Sequence, residues 1–176
     1  MFANPNTKPE KLHDFELGLE KTFGNVAFTA NAYYMNYVNQ LVLSGEINMV
    51  GEFIKINSGK SYRLGIELGA LAKISEKLNI SGNLTLSQNK NVDFKIEDNS
   101  SVNNLGNTSI SFSPNVIANA TIQYKPVKNL QLNLSNQYVG KQYLDNTETE
   151  ALSLKDYFLS DFNAQYSFKI IQHNVS

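Results

Sequence analysis

A period of two runs through this chain and constrains its fold more than any other feature. Phe15, Leu17 and Leu19 alternate with Glu16, Gly18 and Glu20, while Val26, Phe28, Ala30, Ala32 and Tyr34 alternate with Ala27, Thr29 and Asn31. Leu64, Ile66, Leu68, Ala70, Ala72 and Ile74 alternate with Arg63, Gly65, Glu67, Gly69 and Lys73. The same pattern returns at 78–86, 116–124, 130–134 and 158–168. Alternation places one class of residue on each face of a strand. The seven stretches are each roughly 9 to 13 residues long, whereas a globular strand usually has about 5 or 6. Tilted strands of about 9–11 residues are what a bilayer requires. No stretch sustains a helical period.

The connections are sorted by length. Gly24-Asn25, Ser75-Glu76-Lys77 and Lys125-Pro126-Val127-Lys128-Asn129 are short and polar, and between them lie long stretches at about 37–60, 88–114 and 141–155. Outer-membrane barrels sort their connections in this way, with short turns periplasmic and long loops outside. The second face of each stretch is rich in Asn, Ser, Thr, Gln and Gly, which suits a wet lumen better than a dry core. The expectation is an all-β chain, an antiparallel meander of about seven long transmembrane strands. Single-chain bacterial barrels have an even strand number, and the chain finishes on His173-Asn174-Val175-Ser176 rather than inside an apolar strand. Residues 1–176 are therefore read as an incomplete segment of a larger barrel, without a plug domain.

Composition narrows the function. Lys and Arg total 15 against 16 Asp and Glu, a formal charge of −1, so the basic excess of a nucleic-acid binder is missing. The absence of cysteine excludes a disulfide scaffold, a thiolate metal site and a cysteine nucleophile. No run approaches the ~18 apolar residues of a membrane helix. The opening ten residues carry Pro5 and Pro9 and no apolar core, so they do not read as a secretory signal.

Several segments, in order, resemble one family. Lys8-Pro9-Glu10-Lys11 followed by Phe15-Glu16-Leu17-Gly18-Leu19-Glu20 resembles the start of a barrel strand in TonB-dependent outer-membrane receptors. Ala32-Tyr33-Tyr34-Met35-Asn36-Tyr37 with Gln40 through Asn48 is similar to the next strand and its loop, and Asn57 with Lys60 through Leu68 to the descending strand after it. Ile110-Ser111-Phe112-Ser113-Pro114 and Tyr138 through Thr147 look like later segments in receptors of the Bacteroidetes type. The resemblance implies the C-terminal part of a plugged barrel of about 22 strands in the bacterial outer membrane. It implies TonB-energised uptake of a scarce nutrient, such as a ferric siderophore, haem, cobalamin or an oligosaccharide. The implied partners are outer-membrane lipid, the receptor's own plug domain, the TonB complex and the nutrient; no nucleic acid and no cofactor is implied. An iron chelate is the first guess for the nutrient.

Residues with possible site chemistry mostly favour plainer readings. His13 and His173 lie far apart without ligand-like spacing, so solvated histidines are favoured over a metal site. Asp145, Glu148 and Glu150, like Asp93, Glu97 and Asp98, lack the glycine-containing pattern of a calcium loop and read as solvated loop carboxylates. Gly65 and Gly69 flank Glu67 on a strand with no following helix, so they admit a close neighbour in the lumen rather than a nucleotide. Asn79-Ile80-Ser81 and Asn83-Leu84-Thr85 read as polar lumen positions, not glycan acceptors. Tyr33, Tyr34, Tyr37, Tyr138 and Tyr143 are read as an interfacial girdle in preference to ligand stacking. Glu16, Glu20, Arg63 and Glu67 fall on the polar face, where they would bond the plug or each other. Leu132 is assigned to lipid and Asn133 to the lumen.

No hydrolase elbow, phosphate loop or HExxH motif is present, so no catalytic residue is named and an enzyme is the least favoured class. Two rivals stay open from sequence: a small complete barrel acting as an adhesin or structural protein, and a soluble sugar-binding β-sandwich. The mean hydropathy of −0.31 suits the sandwich.

Overall fold

The structure is a computed structural model and describes residues 8–47, 49–98 and 101–168. Its strands are β1 (Lys11–Phe23), β2 (Val26–Val38), β3 (Leu41–Ile47), β4 (Phe53–Asn57), β5 (Lys60–Lys73) and β6 (Leu78–Asp98). There follow β7 (Ser101–Ser109), β8 (Val116–Val127), β9 (Leu130–Val139), β10 (Gln142–Tyr143), β11 (Ser153–Leu154) and β12 (Tyr157–Tyr166), with a 3-10 turn at Glu150–Leu152. The main sheet has the order β1-β2-β5-β6-β8-β9-β12, antiparallel throughout. These seven long strands are the seven alternating stretches of the sequence. Within the described residues, β1 and β12 each pair on one side only, which leaves two open edges.

Register turns the alternation of single strands into two continuous surfaces, because residues directly opposite in a ladder point the same way. Leu17, Ala32, Ile66, Leu86 and Val116 form one such row. Leu19, Ala30, Leu68, Leu84, Ala118, Tyr138 and Phe158 form the next row on that face. The opposite face carries Gly18, Asn31, Glu67 and Thr85, then Glu20, Thr29, Gly69, Asn83, Asn119 and Gln137.

Nothing among the described residues covers the apolar face. Leu64, Ile66, Leu68, Leu86, Phe158 and Phe162 are all exposed, and only Val42, Phe94, Ile110 and Val139 are buried apolar residues among those described. Soluble monomers rarely leave such a contiguous apolar surface open to water. A sandwich would have packed a second sheet on it, so the sandwich reading is set aside. The described residues contain no helix long and apolar enough to cross a membrane, which says nothing of a crossing by strands.

The long connections differ from the sequence reading. They are not plain loops: β3 and β4 form a hairpin, β10 and β11 pair briefly, and β6 runs on for 21 residues. At ~3.4 Å per residue β6 is about 70 Å long, and its 21 residues are about twice the ~9–11 that a tilted bilayer strand requires. Its partner changes along the way, from β8 opposite 78–86 to β7 opposite 90–98. Val92, Phe94 and Ile96 keep the period of two and are the signal that would have extended the strand. A register shift between Asn91 and Phe94, with Asp93 at φ 50°, obscures that signal.

Leu132 lies on the apolar face, opposite Tyr124 and Ala164, and Asn133 on the polar face, opposite Gln123 and Asn163. Leu132 is however only two residues into β9, close to the turn and away from mid-strand.

Candidate functional site

The polar face forms a wall of carboxylates, amides and hydroxyls. Asn119 donates to Asn83 at 2.9 Å, Asn79 to Gln123 at 3.0 Å, and Thr121 lies 3.3 Å from Ser135. These cross-strand bonds use the side chains of Asn79 and Asn83, which both lie on the polar face. A cavity of about 600 Å³ opens on this wall beside Glu20, Asn31 and Glu67.

The wall glycines admit large neighbours. A Cβ on Gly65 would stand 2.5 Å from the Tyr33 hydroxyl, and one on Gly69 would strike the Thr29 hydroxyl. Tyr33 is therefore laid across Gly65 on the polar face, a cross-strand arrangement that needs the missing side chain.

The girdle reading is corrected for three tyrosines, Tyr33, Tyr37 and Tyr143. Tyr33 pairs with Glu16 and Gly65, and Tyr37 with Leu12 and Ser61, all of the polar face. Tyr34 does lie on the apolar face, its ring 6.4 Å from that of Tyr62, and Tyr138 shares that face with Phe158. Tyr143 belongs to neither wall; it sits in β10 and donates to Glu150 at 3.1 Å. Clustering in sequence puts neighbours on opposite faces of a strand, which is why the cluster could not act as one belt.

Above Glu67 the wall narrows into a second cavity of about 350 Å³, lined by Glu16, Tyr33, Met35, Arg63, Asn89 and Phe112 among others. Arg63 donates to Ser113 at 2.9 Å and to Asn89 at 3.4 Å. No carboxylate lies within ion-pair reach of it among the described residues. Phe112 has φ 51°, an uncommon conformation for a bulky side chain, and its ring is exposed.

The outer connections are tied together by polar contacts. Lys90 on β6 donates to Glu148 at 2.8 Å, and Ser109 donates to the same oxygen at 2.6 Å. Asn91 donates to Thr108 and to Asn146, and all three are buried. Lys141 pairs with Glu150. The acidic run is thus not simply solvated: Asp145 is buried and accepts from Thr147, and Glu148 and Glu150 each hold a lysine. Asp93 takes part through its backbone, whose N–H donates to Asn107. The side chains of Glu97 and Asp98, with Asn99 and His173, lie outside the described residues.

His13 pairs with Asn36 on the apolar-face parity near the outer end of β1. Among the described residues no three His, Asp or Glu side chains come together as a metal site.

A sheet of long antiparallel strands with one polar face and one apolar face left open among the described residues is what a stretch of β-barrel wall looks like. The chain belongs to the family described as TonB dependent receptor-like, beta-barrel, whose model matches residues 1–176. It is similar in structure to the siderophore receptor PiuA from Acinetobacter baumannii, with TM-score 0.74 and 23% identity, covering 95% of this chain and 24% of that one. The ferric yersiniabactin uptake receptor FyuA from Yersinia pestis matches with TM-score 0.68 and 19% identity, over 89% of this chain and 22% of that one. The copper transporter OprC matches with TM-score 0.68 and 18% identity, over 92% and 24%. At these identities the likeness is one of fold. None of the curated proteins compared matches the sequence. The chain spans about a quarter of the length of the solved receptors it resembles.

Proposed function

We propose that this chain is part of the barrel wall of an outer-membrane receptor that takes up a scarce nutrient with energy from the TonB complex. The carrying observation is the pairing of an uncovered apolar face with a continuous polar face that bears Glu16, Glu20, Glu67 and Arg63. The apolar face meets lipid, and the polar face meets the receptor's plug domain and the passing ligand. The role is transport, not catalysis.

The nutrient is a metal-bearing one, an iron chelate before the others. What supports this is the company the fold keeps: a siderophore receptor, a ferric yersiniabactin uptake receptor and a copper transporter. The turns around Gly24, Glu76 and Val127 are periplasmic, and Gly45 and Glu148 lie outside the cell, in line with the sorted connection lengths.

Two experiments test this reading. Deletion of the whole gene should abolish accumulation of one radiolabelled metal chelate under starvation, and loss of TonB should abolish the same uptake. Uptake that survives loss of TonB would sink the mechanism. Labelling of intact cells with a membrane-impermeant thiol reagent should modify Glu148→Cys and spare Glu76→Cys; the reverse pattern would invert the orientation.

A further inference from the structure

The apolar face is not evenly filled. A groove of about 550 Å³ crosses it, with Leu19, Phe28 and Leu84 along its sides and Ala70 and Gly82 at its floor. The floor belongs to one register row, in which Lys21 and Phe28 are followed by Ala70, Gly82 and Ala120. The small side chains of Ala70 and Ala120 and the bare Gly82 leave a trough between larger neighbours in the rows above and below, and Phe28 forms one side where the groove passes toward Lys21.

The row climbs through the membrane. Lys21 stands three residues before the turn glycine Gly24, whereas Ala120 stands eight residues before Lys128 in its own turn. Five further residues at ~3.4 Å each, on strands tilted by about 45°, raise the row by roughly 12 Å. Half of the hydrocarbon core is about 15 Å thick. The trough therefore starts near one membrane surface and ends near the midplane, which is the span of one acyl chain.

Its shallow end carries a cation. The Lys21 ammonium lies 5.5 Å from the centroid of the Phe23 ring, two residues nearer the turn, so the side chain leans toward the headgroups as a snorkelling lysine does. No carboxylate pairs with Lys21 among the described residues. An apolar trough against a bilayer loses dispersion contacts if left empty, and an unpaired ammonium at its mouth favours an anionic group.

We propose that this groove is a binding site for one glycerophospholipid of the periplasmic leaflet, its acyl chain along Ala70 and Gly82 and its phosphate on Lys21. The assignment rests on the barrel reading and on the short turns being periplasmic.

The test uses the purified full-length receptor in detergent, titrated with phosphatidylglycerol and read by native mass spectrometry. Lys21→Gln should weaken the first bound lipid roughly fivefold, the scale of one lysine at a membrane surface. Ala70→Phe should remove that lipid, and Leu134→Phe, outside the groove, should leave it in place. Diacylglycerol, which has no phosphate, should bind at least as weakly to the wild type as phosphatidylglycerol binds to Lys21→Gln. Unchanged binding in Lys21→Gln, or equal binding of diacylglycerol, would overturn the proposal. Should Ala70→Phe fail to fold, Lys21→Gln, a surface change, decides the matter with diacylglycerol. The heat-modifiable gel shift of the wild type is read in parallel: its absence would refute the barrel, a different failure from loss of the lipid site.

Discussion

The side-chain amide of Asn91 donates to the Asn146 carbonyl oxygen at 3.2 Å, joining β6 to a segment 55 residues further along the chain. The same Asn146 oxygen accepts from the Ser111 backbone N–H at 3.0 Å. One nearly fully buried amide thus holds together the outer part of β6, the kink between β7 and β8, and the connection after β9. Asn146→Ala would take this acceptor from the buried Asn91 amide, which keeps Thr108, and from the half-buried Ser111 N–H, at a cost of about 1 kcal/mol or more. That cost falls on the outer connections and not on the membrane ladders. Cleavage by a lysine-specific protease at Lys141 or Lys155 should accelerate roughly tenfold, with the heat-modifiable gel shift unchanged. An unchanged rate would mean that other contacts hold the connection.

The same region should respond to acid. Burial pushes the Glu148 carboxyl up, but hydrogen bonds from Lys90 and Ser109 outweigh it and hold the group below its ordinary value. Hydrogen bonds from Lys141 and Tyr143 lower Glu150 as well. A carboxylate depressed in the folded state gives its full contribution above the unfolded value of about 4.3 and loses it as pH falls through the folded value. Protection of residues 142–152 against hydrogen exchange should therefore be flat from about pH 7 to 5 and fall below about pH 4, after correction for the intrinsic rate. The double variant Glu148→Gln, Glu150→Gln should show no such step. A step that persists in it would place the titration elsewhere.

What the sequence reveals and what it hides have one physical cause. Lipid and water act on the two faces of every membrane strand, so adjacent residues such as Ile66 and Glu67 can be sorted by polarity alone. Where the strands run on beyond the length that a bilayer requires, as in the outer half of β6, a barrel wall meets water or other loops on both faces, and that sorting force is lost. Phe94 is buried there beside the equally buried Asn91, and polarity no longer tells inside from outside. The contacts of Lys90 with Glu148, or of Asn91 with Asn146, join chain segments more than 50 residues apart, and no local pattern announces them. Tyr33 misleads for a related reason: an amphipathic ring suits a lipid interface and a wet wall equally well, and only the partner, Gly65, decides.

That partnership is testable. Gly65→Ala would force the Tyr33 ring to move, since the new Cβ would stand 2.5 Å from its hydroxyl and 2.6 Å from its Cζ. Overpacking of this kind costs about 1–3 kcal/mol, with the low end expected where a ring can swing into the lumen. The penalty should vanish in a Tyr33→Ala background, giving a coupling of about 1 kcal/mol in a double-mutant cycle on urea unfolding of the receptor in lipid vesicles. Simple additivity would show that the ring does not lie across the glycine.

The assignment of the two faces yields the most demanding prediction. Leu134 pairs with Ile122 and Phe162 on the apolar face, and Ser135 pairs with Thr121 and Asp161 on the polar one. Leu134 is also near the middle of β9, whereas Leu132 is close to the turn. Arginine facing lipid costs roughly 2–4 kcal/mol at the midplane and about 0–1 near the interface. Leu134→Arg should therefore impair assembly strongly and Leu132→Arg only slightly, measured as the heat-modifiable folded fraction of the full receptor. Ser135→Arg should be tolerated, because water reaches that face and Asp161 directly opposite offers a charge partner worth about 0.2–1 kcal/mol. Equal damage at Leu134 and Ser135 would mean that the faces do not meet lipid and water. The opposite ranking would mean that β9 is shifted by one residue, which would exchange the faces of every side chain on it.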